Sequence, residues 1–453
     1  MSLHLDLANI SPSETILKLP YPYYSEYTLH SVASSSPALY QLQLRSGSTV
    51  QSLPFDLHSA GLRFSAPTDP KSIELPPSSN NGPWGRARRS PVSIIAWDDN
   101  AVPSIANMWL LMYTLYTVRS TMETVRLELQ GKDAQLVAQQ LQDVSLAIAH
   151  PQASRNDPIP AANPTAVSII GLRSTFWQGA GAPFGPRPIW CPENSPASLP
   201  KSTPLSSFPP MPTYQTLSIA SAGDPQEPER VQQSRHLLRA AKPAPGSVFY
   251  SRWIPHLKEV LSMVVLDYRN EEHVQLFHTW QNDPRVSEGW NQSGTVEEHT
   301  AYLRKLDEDP HQFAILAKFD ETFFAYFEFY WAKEDALGSY YDAGDWDRGR
   351  HALVGDVRFR GPHRVSAWWS STIHYLFIDD PRTLAVVGEP RNGNSTCIMY
   401  DLMHGFGVNH FVDLPHKRSA LDMCHRERFF QICPLGDNQK LVGGIPLGLM
   451  PKL

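Results

Sequence analysis

The chain has 453 residues, 42% of them hydrophobic and 11% aromatic, enough for two ordinary domains that each bury a core and too apolar for a disordered or fibrous protein. Thirty-nine Lys and Arg against 45 Asp and Glu leave a net charge of −6, where a binder of the phosphate backbone would show a basic surplus. Four scattered cysteines without a CxxC pair suit a reducing compartment, so the sequons at Asn291 and Asn394 read as chance.

In chain order, Met1-Ser-Leu-His-Leu-Asp-Leu lacks the basic and apolar regions of a signal peptide. The longest apolar run, 108–118, is about half the ~20 residues that span a bilayer, so a soluble protein is expected. A strand is predicted at 92–97, an apolar helix at 105–118, an alternating strand at 124–129 and a helix at 134–147, together an α/β unit within 1–150. The loop Asp98-Asp-Asn-Ala-Val-Pro103 has no glycine and carries two carboxylates, so it should repel an anion.

Proline is the odd component, at 40 residues where ~5% is usual, and 18 of the 40 lie between Pro151 and Pro245. That density sustains neither helix nor central strand, which predicts a connector over 151–245, anchored in places by Phe176, Trp177 and Trp190. The remaining 246–453 opens with a strand at 261–266, a helix at 271–281 and a capping box, Thr295-Val-Glu-Glu298, that starts a second helix. Two aromatic strands, 313–319 and 323–331, form a hairpin and are followed by an acidic insert at 333–350. A strand at 351–357, an amphipathic helix at 365–376, a strand at 383–389, a helix at 394–405 and closing strands from 411 and over 428–432 complete the succession.

Chemistry concentrates in this second half. Arg358-Phe-Arg-Gly-Pro-His363 stands between a strand and a helix N-terminus, where Gly361 lets backbone N–H groups approach an anion and Arg358 and Arg360 add charge. The element order over 245–435 resembles that of the GNAT acyl-CoA transferases, and this hexapeptide is similar to their pyrophosphate loop, with His363 where the family has Gly or Ala. Asn394, eleven residues before Gly405-Phe406, resembles the family's last core helix beside the pantetheine arm. The family often places a tyrosine acid four residues before that glycine; here Asp401 stands there, with Tyr400 beside it as a core aromatic.

Narrower motifs resemble the siderophore-biosynthetic branch: Tyr326-Phe-Glu328-Phe-Tyr-Trp331, Tyr340-Tyr-Asp342, Asp347-Arg-Gly-Arg-His351, Glu389-Pro-Arg391 and Asp413-Leu-Pro-His-Lys-Arg418 through Arg426-Glu-Arg-Phe-Phe430. The resemblance spans about 265–432 and implies a fold of class α/β (α+β), with mixed, splayed sheets flanked by helices. It makes 1–150 a degenerate GNAT-like domain, 151–245 a Pro-rich connector and 246–453 the catalytic domain.

The activity it implies is acyl transfer from CoA, anhydromevalonyl rather than acetyl, to the hydroxylated side-chain nitrogen of N5-hydroxyornithine. Acyl-coenzyme A is then a co-substrate, with no permanently bound cofactor and no metal. His351, opening its strand, is the expected base and Glu389, ending the adjacent parallel strand, orients it or shares its proton; out of this context either residue would read as structural. Arg358, Arg360, Gly361, His363 and Asn394 are expected to hold CoA. The amino acid's α-ammonium falls to acids of the insert, Asp342 or Asp347 among Glu334, Asp335 and Asp345, and its carboxylate to Arg391, Lys417 or Arg418. His363, His374, His404, His410, His416 and His425 fit no compact metal-ligand spacing.

The terminal Pro451-Lys-Leu is a variant of the Ser-Lys-Leu peroxisomal address. The partners expected are therefore the two substrates and the peroxisomal import receptor, with a homodimer open and neither nucleic acid nor membrane; a cytoplasmic location is the alternative. Two other functions stay open: the same chemistry with acetyl-CoA, or a non-catalytic GNAT-like scaffold whose proline-rich stretch recruits partners.

Overall fold

The structure is a computed structural model that describes residues 6–32, 37–45, 50–71, 75, 81–151, 166–193, 199–200, 203, 207, 213–215, 236–436, 440–442 and 445–447. The chain forms two compact units, Met1–Ile189 with Leu435–Gln439, and Trp190–Pro434 with Lys440–Leu453. The terminal Pro-Lys-Leu lies outside the described residues.

In the first unit β1 (Thr15–Lys18), β2 (Glu26–Val32), β3 (Leu39–Arg45) and β4 (Leu62–Ser65) precede α1 (Pro83–Arg89), β5 (Val92–Trp97), α2 (Ile105–Val118), β6 (Thr124–Gln130), α3 (Ala134–Asp143), β7 (Ala147–Ala149), β8 (Val167–Leu172) and α4 (Arg173–Trp177). Its eight strands lie in the order β1-β2-β3-β4-β5-β6-β8-β7, antiparallel except for β5 and β6. Ser104 caps α2 in a capping box, and Met108 to Tyr116 are buried on every side, as an apolar helix inside a domain must be.

The second unit begins with the short pair β9 (Tyr214–Gln215) and β10 (His236–Leu237). Then come β11 (Val248–Ile254), β12 (Glu259–Val265), α5 (Glu271–Gln281), α6 (Pro284–Trp290), α7 (Val296–Glu308), β13 (Gln312–Phe319), β14 (Thr322–Trp331) and β15 (Arg348–Val354). After α8 (Pro362–Asp379), β16 (Ala385–Gly388), α9 (Ser395–Met403), β17 (Gly407–Leu414), β18 (Lys417–His425) and α10 (Arg426–Ile432) follows a small hairpin, β19 (Lys440–Val442) and β20 (Ile445–Leu447). The sheet order β11-β12-β13-β14-β15-β16-β18-β17 repeats that of the first unit, again with a single parallel pair, β15 and β16.

β14 shows how this sheet is used on both faces. Its odd residues point to α8, where Phe327 stacks on Trp368 and Phe329 on Tyr375. Its even residues point to α5–α7: Tyr326 meets Phe277 and Trp290, and Glu328 meets Tyr302. The strand is buried along nearly its whole length, as its aromatic run requires.

Three expectations are corrected. The stretch 151–245 is not a plain connector, because β8 pairs with β6 and β7 inside the first sheet. Phe176 packs against Trp109 and Tyr113 there, whereas Trp190 is buried in the second unit against His374. The apolar and aromatic anchors outweigh the local proline content, and the units meet in sequence at 189/190. Residues 428–432 are helical, since Phe429 and Phe430 close on Phe377 and His374 from one turn of α10. β15 begins three residues earlier than predicted, which places His351 in mid-strand.

Candidate active site

The parallel pair β15 and β16 is joined only at Arg348 with Val386 and Gly349 with Val387. Beyond those residues the strands part, leaving Arg350 and His351 on one lip of an opening and Gly388 and Glu389 on the other. Strand alternation sends the two β15 side chains to opposite faces. His351, paired in register with Glu328, faces α5–α7, and Arg350, paired with Phe329, faces α8 and α9.

His351 lies between two carboxylates. Its Nδ1 is 3.0 Å from Glu328 Oε2 and its Nε2 is 2.8 Å from Glu389 Oε1. The carboxylates are buried, at 5% and 7% exposure, while the imidazole is 35% exposed and so remains reachable. Tyr302 and Tyr326 each donate to Glu328 Oε1 at 2.7 Å, and Tyr330 donates to Glu389 Oε2 at 2.9 Å. Lys417 Nζ donates to the Glu389 carbonyl at 2.8 Å and lies 3.6 Å from Oε1. Each buried oxygen thus has the partner its burial demands.

Burial alone would favour a neutral His351, but Glu389 and Glu328 outweigh it and hold the imidazolium well above the ordinary histidine value. Burial opposes ionisation of Glu389, yet the His351 charge and hydrogen bond, with Lys417 and Tyr330, bring it down to about 2. Glu328 moves down as well, His351 again offsetting burial. The three groups titrate as one unit that holds a proton on the histidine.

Local sequence explains the arrangement. Gly349 lies opposite Tyr330, and a Cβ there would stand 2.1 Å from the ring carbon Cζ, so only glycine lets the tyrosine reach Glu389. The Thr295–Glu298 capping box is formed as predicted and fixes the start of α7, which carries Tyr302. Trp290 of α6 and the Tyr330 ring, 6.2 and 4.9 Å from the imidazole centroid, flank His351.

After β15 the chain turns through 357–359 into α8, with Gly361 as N-cap at φ +122°, a value that favours glycine. Arg360 and His363 are exposed at this helix start. Arg358 is exposed too, but its guanidinium is held by Asp356 at 2.6–3.1 Å. Asn394 caps α9 by accepting from the Cys397 N–H at 3.1 Å. The cavity lined by Glu272, Asp283, Glu321, Asp356 and Arg358, about 550 Å³, is acidic and suits no phosphate.

The insert spends most of its acids internally. Glu334 pairs with Arg239, Asp335 with His311, Asp345 with Lys333 and Tyr214, and Asp347 with Tyr341 and the Gly344 N–H. Burial raises the pKa of Asp347. Asp342 and Arg391 are exposed, and Arg418 pairs with Asp413 at the surface. Of the three basic residues expected at the substrate carboxylate, Lys417 is the one the structure ties to Glu389.

Glu328, Tyr302 and Tyr330 are site residues without an assigned role in the sequence reading. A signal for Glu328 existed: one acid in the middle of an aromatic strand must be paired when buried.

Comparison with known proteins fits this geometry. An acetyltransferase (GNAT) domain profile matches residues 269–414. The N(5)-hydroxyornithine:cis-anhydromevalonyl coenzyme A-N(5)-transacylase of Beauveria bassiana is 61% identical over 99% of both chains. The chain belongs to the hydroxyornithine transacylase family of GNAT acyltransferases. A second member, the hydroxyornithine transacylase of Ajellomyces capsulatus, is 45% identical over 93% of this chain and 94% of its own. A Stachybotrys chartarum protein whose name proposes an O-acetyltransferase is 52% identical over 100% of both. As a member of this transacylase family the chain is an N-acyltransferase that uses acyl-CoA.

Proposed function

We propose that this enzyme transfers an anhydromevalonyl group from CoA to the hydroxylated side-chain nitrogen of N5-hydroxyornithine, forming a hydroxamate for siderophore assembly. The observation that carries the reading is His351, open to ligand yet held between two buried carboxylates where β15 and β16 part, in a chain 61% identical over its length to a transacylase so named.

A hydroxylamine nitrogen is less basic than an alkylamine, so it is unprotonated near neutral pH and attacks a thioester directly. The tetrahedral intermediate then has to lose a proton, which the Glu328–His351–Glu389 unit collects once its own proton has left. Glu328, fixed by two tyrosines, sets the imidazole's orientation, and Glu389, fixed by Tyr330 and Lys417, faces the entering nitrogen beside Nε2. Gly361, Arg360 and His363 at the start of α8 hold the CoA pyrophosphate, joined by Arg358 if it exchanges Asp356 for phosphate. Asn394 acts through the cap that places α9 beside the pantetheine arm. Asp342 and Arg391 meet the α-ammonium and carboxylate of the amino acid, Lys417 being committed to Glu389. Pro451-Lys-Leu addresses the protein to the peroxisomal import receptor, and deletion of these three residues should leave a fluorescent fusion in the cytosol.

The name of the Stachybotrys relative favours a second reading, O-acetylation of the same kind of substrate. Both readings are tested by incubating the protein with N5-hydroxyornithine and a panel of acyl-CoAs. An N-acyl product has the mass of the adduct and gives the coloured iron(III) complex of a hydroxamate; the O-acyl isomer has the same mass and gives none. Absence of any adduct would contradict both.

A further inference from the structure

The mechanism above leaves the tip of the β17–β18 hairpin unused. Leu414 pairs with Lys417, so the connection is two residues long, Pro415 and His416, and both are exposed. The residue after the tip ties it to the reacting centre, because Lys417 Nζ donates to the Glu389 carbonyl at 2.8 Å and lies 3.6 Å from Glu389 Oε1. Pairing with β18 also continues past the end of β16. The Ala420 N–H donates to the Pro390 carbonyl at 3.0 Å, the Asn392 N–H donates to the Arg418 carbonyl at 2.9 Å, and Arg391 is in register with Ser419.

Strand alternation then gives each side chain its face. Leu421 packs with Tyr330 and Val387, so Ser419 and Lys417 lie on the face that carries His351, and Arg391, opposite Ser419, lies there too. The charged groups that face the His416 imidazole are Lys417 of β18, Glu389 and Arg391 after β16, and His351 of β15. Their charges do not cancel. Glu389, the acid of this set, is already engaged by His351 Nε2 at 2.8 Å and by Lys417. Arg391 is exposed, and among the described residues neither its guanidinium nor the His416 imidazole has an acid or a hydrogen-bond partner. A permanent cation and an ionisable imidazole thus stand at the rim of the site without a counter-charge from the protein.

We propose that His416 and Arg391 together bind the α-carboxylate of N5-hydroxyornithine, Arg391 by its permanent charge and His416 as the imidazolium. The inference rests on the proposed acyl transfer and names what selects an amino acid over a plain hydroxylamine. Four carbons separate the hydroxylated nitrogen from the carboxylate, so a nitrogen held at His351 and Glu389 leaves the carboxylate outward, at the rim. A guanidinium takes a carboxylate through two parallel N–H bonds, and an imidazolium N–H takes a further lone pair. No covalent bond changes at this end of the substrate; His416 takes up one proton from water when the carboxylate binds and returns it on release.

The electrostatics give the contact a sign. In the free enzyme burial and the positive charges of Lys417, Arg391 and His351 outweigh Glu389 and hold His416 below the ordinary histidine value. The imidazole is therefore mostly neutral near pH 7, and a bound carboxylate offsets the repulsion and draws a proton onto it. Binding that takes up a proton is tighter at low pH and weakens as pH rises through the value of the bound complex.

The test uses the full chain, His416→Ala and two acceptors, N5-hydroxyornithine and its decarboxylated analogue N-hydroxy-1,4-diaminobutane, whose constant is read as a Ki where it is not turned over. Expected are a KM for hydroxyornithine about 10-fold higher in the variant, as loss of a charged hydrogen bond implies, a constant for the analogue equal to that of wild type, and a KM for acyl-CoA within a few-fold. An equal rise for both acceptors, or no rise for hydroxyornithine, would overturn the assignment. Should the variant not fold, the wild type decides: the ratio of the hydroxyornithine KM to the analogue's constant should rise several-fold between about pH 6 and 9, and a constant ratio refutes the proposal. Failure of the wild type to acylate hydroxyornithine with any donor would instead count against the proposed function.

Discussion

Gly349 and Tyr330 show how a single missing side chain shapes the reacting centre. The Tyr330 ring occupies the space a Cβ would need and delivers its hydroxyl to Glu389. Gly349→Ala must push that ring away inside a packed sheet, a type of overpacking that costs about 1–3 kcal/mol. We expect a Tm lower by several degrees and kcat lower by at least about 10-fold, with Tyr330→Phe retaining the wild-type Tm to within a few degrees. Glu328 offers a test of the electrostatics. Its carboxylate helps to raise the His351 pKa, and the base is active only when His351 has lost its proton. Glu328→Gln removes part of that attraction, so the imidazolium releases its proton at lower pH and the acidic limb of kcat/KM moves down by about 1 unit. An unmoved limb would mean that His351 is not the titrating base. The same linkage acts on stability: a raised histidine contributes fully below its unfolded value of about 6.5, and that contribution is lost as pH rises through the folded value.

Among elements, the decisive difference between the two sheets is their parallel pair. β5 and β6 stay zipped from Val92 with Arg126 to Ala96 with Gln130, whereas β15 and β16 part after Gly349 with Val387. Only the second pair leaves a gap for a thioester. The strap that reaches the catalytic unit from the proline-rich stretch is held by Arg239, whose guanidinium makes two bonds to Glu334 at 3.0 and 2.8 Å and lies 4.1 Å from the Trp331 ring centroid. Both side chains are 4% exposed, so Arg239→Ala removes two charge-assisted hydrogen bonds from a buried carboxylate. A loss of about 3–5 kcal/mol in denaturant unfolding is expected; a loss below about 1 kcal/mol would show that the strap is not anchored there. Several of these elements were legible in the sequence. The capping box at Thr295, the 323–331 strand and the helix after Gly361 follow from local patterns that agree with their tertiary setting. β11 was not legible, because Arg252 interrupts its apolar run, and its buried guanidinium is bonded to Ala367, Ser370 and Ser371 of α8. α10 was misread as a strand for a related reason: its two phenylalanines satisfy either period, and the choice is made by Phe377 and His374.

At the scale of the whole molecule, one sheet topology occurs twice in one chain, and the copies differ where the chemistry is. The first lacks helices between β2 and β3 among the described residues, while the second carries α5–α7 there, and with them Tyr302 and Trp290. The first also has Asp98 and Asp99 before α2, where the second has Gly361 and exposed basic residues before α8. Titration calorimetry on the full chain should therefore find one acyl-CoA site per chain; two equivalent sites would contradict the distinction between the halves. The sequence pattern disclosed the α/β character of 92–148 but not the four strands before it, and not β8, which lies within a proline-rich stretch. His351 and Glu389 could be named from motif resemblance, yet the bond between them, and Glu328 on the other side of the imidazole, required the tertiary structure and the register of β14 with β15.

The central claim is that the Glu328–His351–Glu389 unit collects the nucleophile's proton in an otherwise ordinary acyl-CoA site. His351→Gln in the full chain tests it most directly, with acyl-CoA affinity and the rate of hydroxamate formation measured on the same preparation. The expected result is a Kd within a few-fold of wild type and a kcat lower by about 10²-fold or more. A kcat within a few-fold of wild type at saturating substrate would contradict the account.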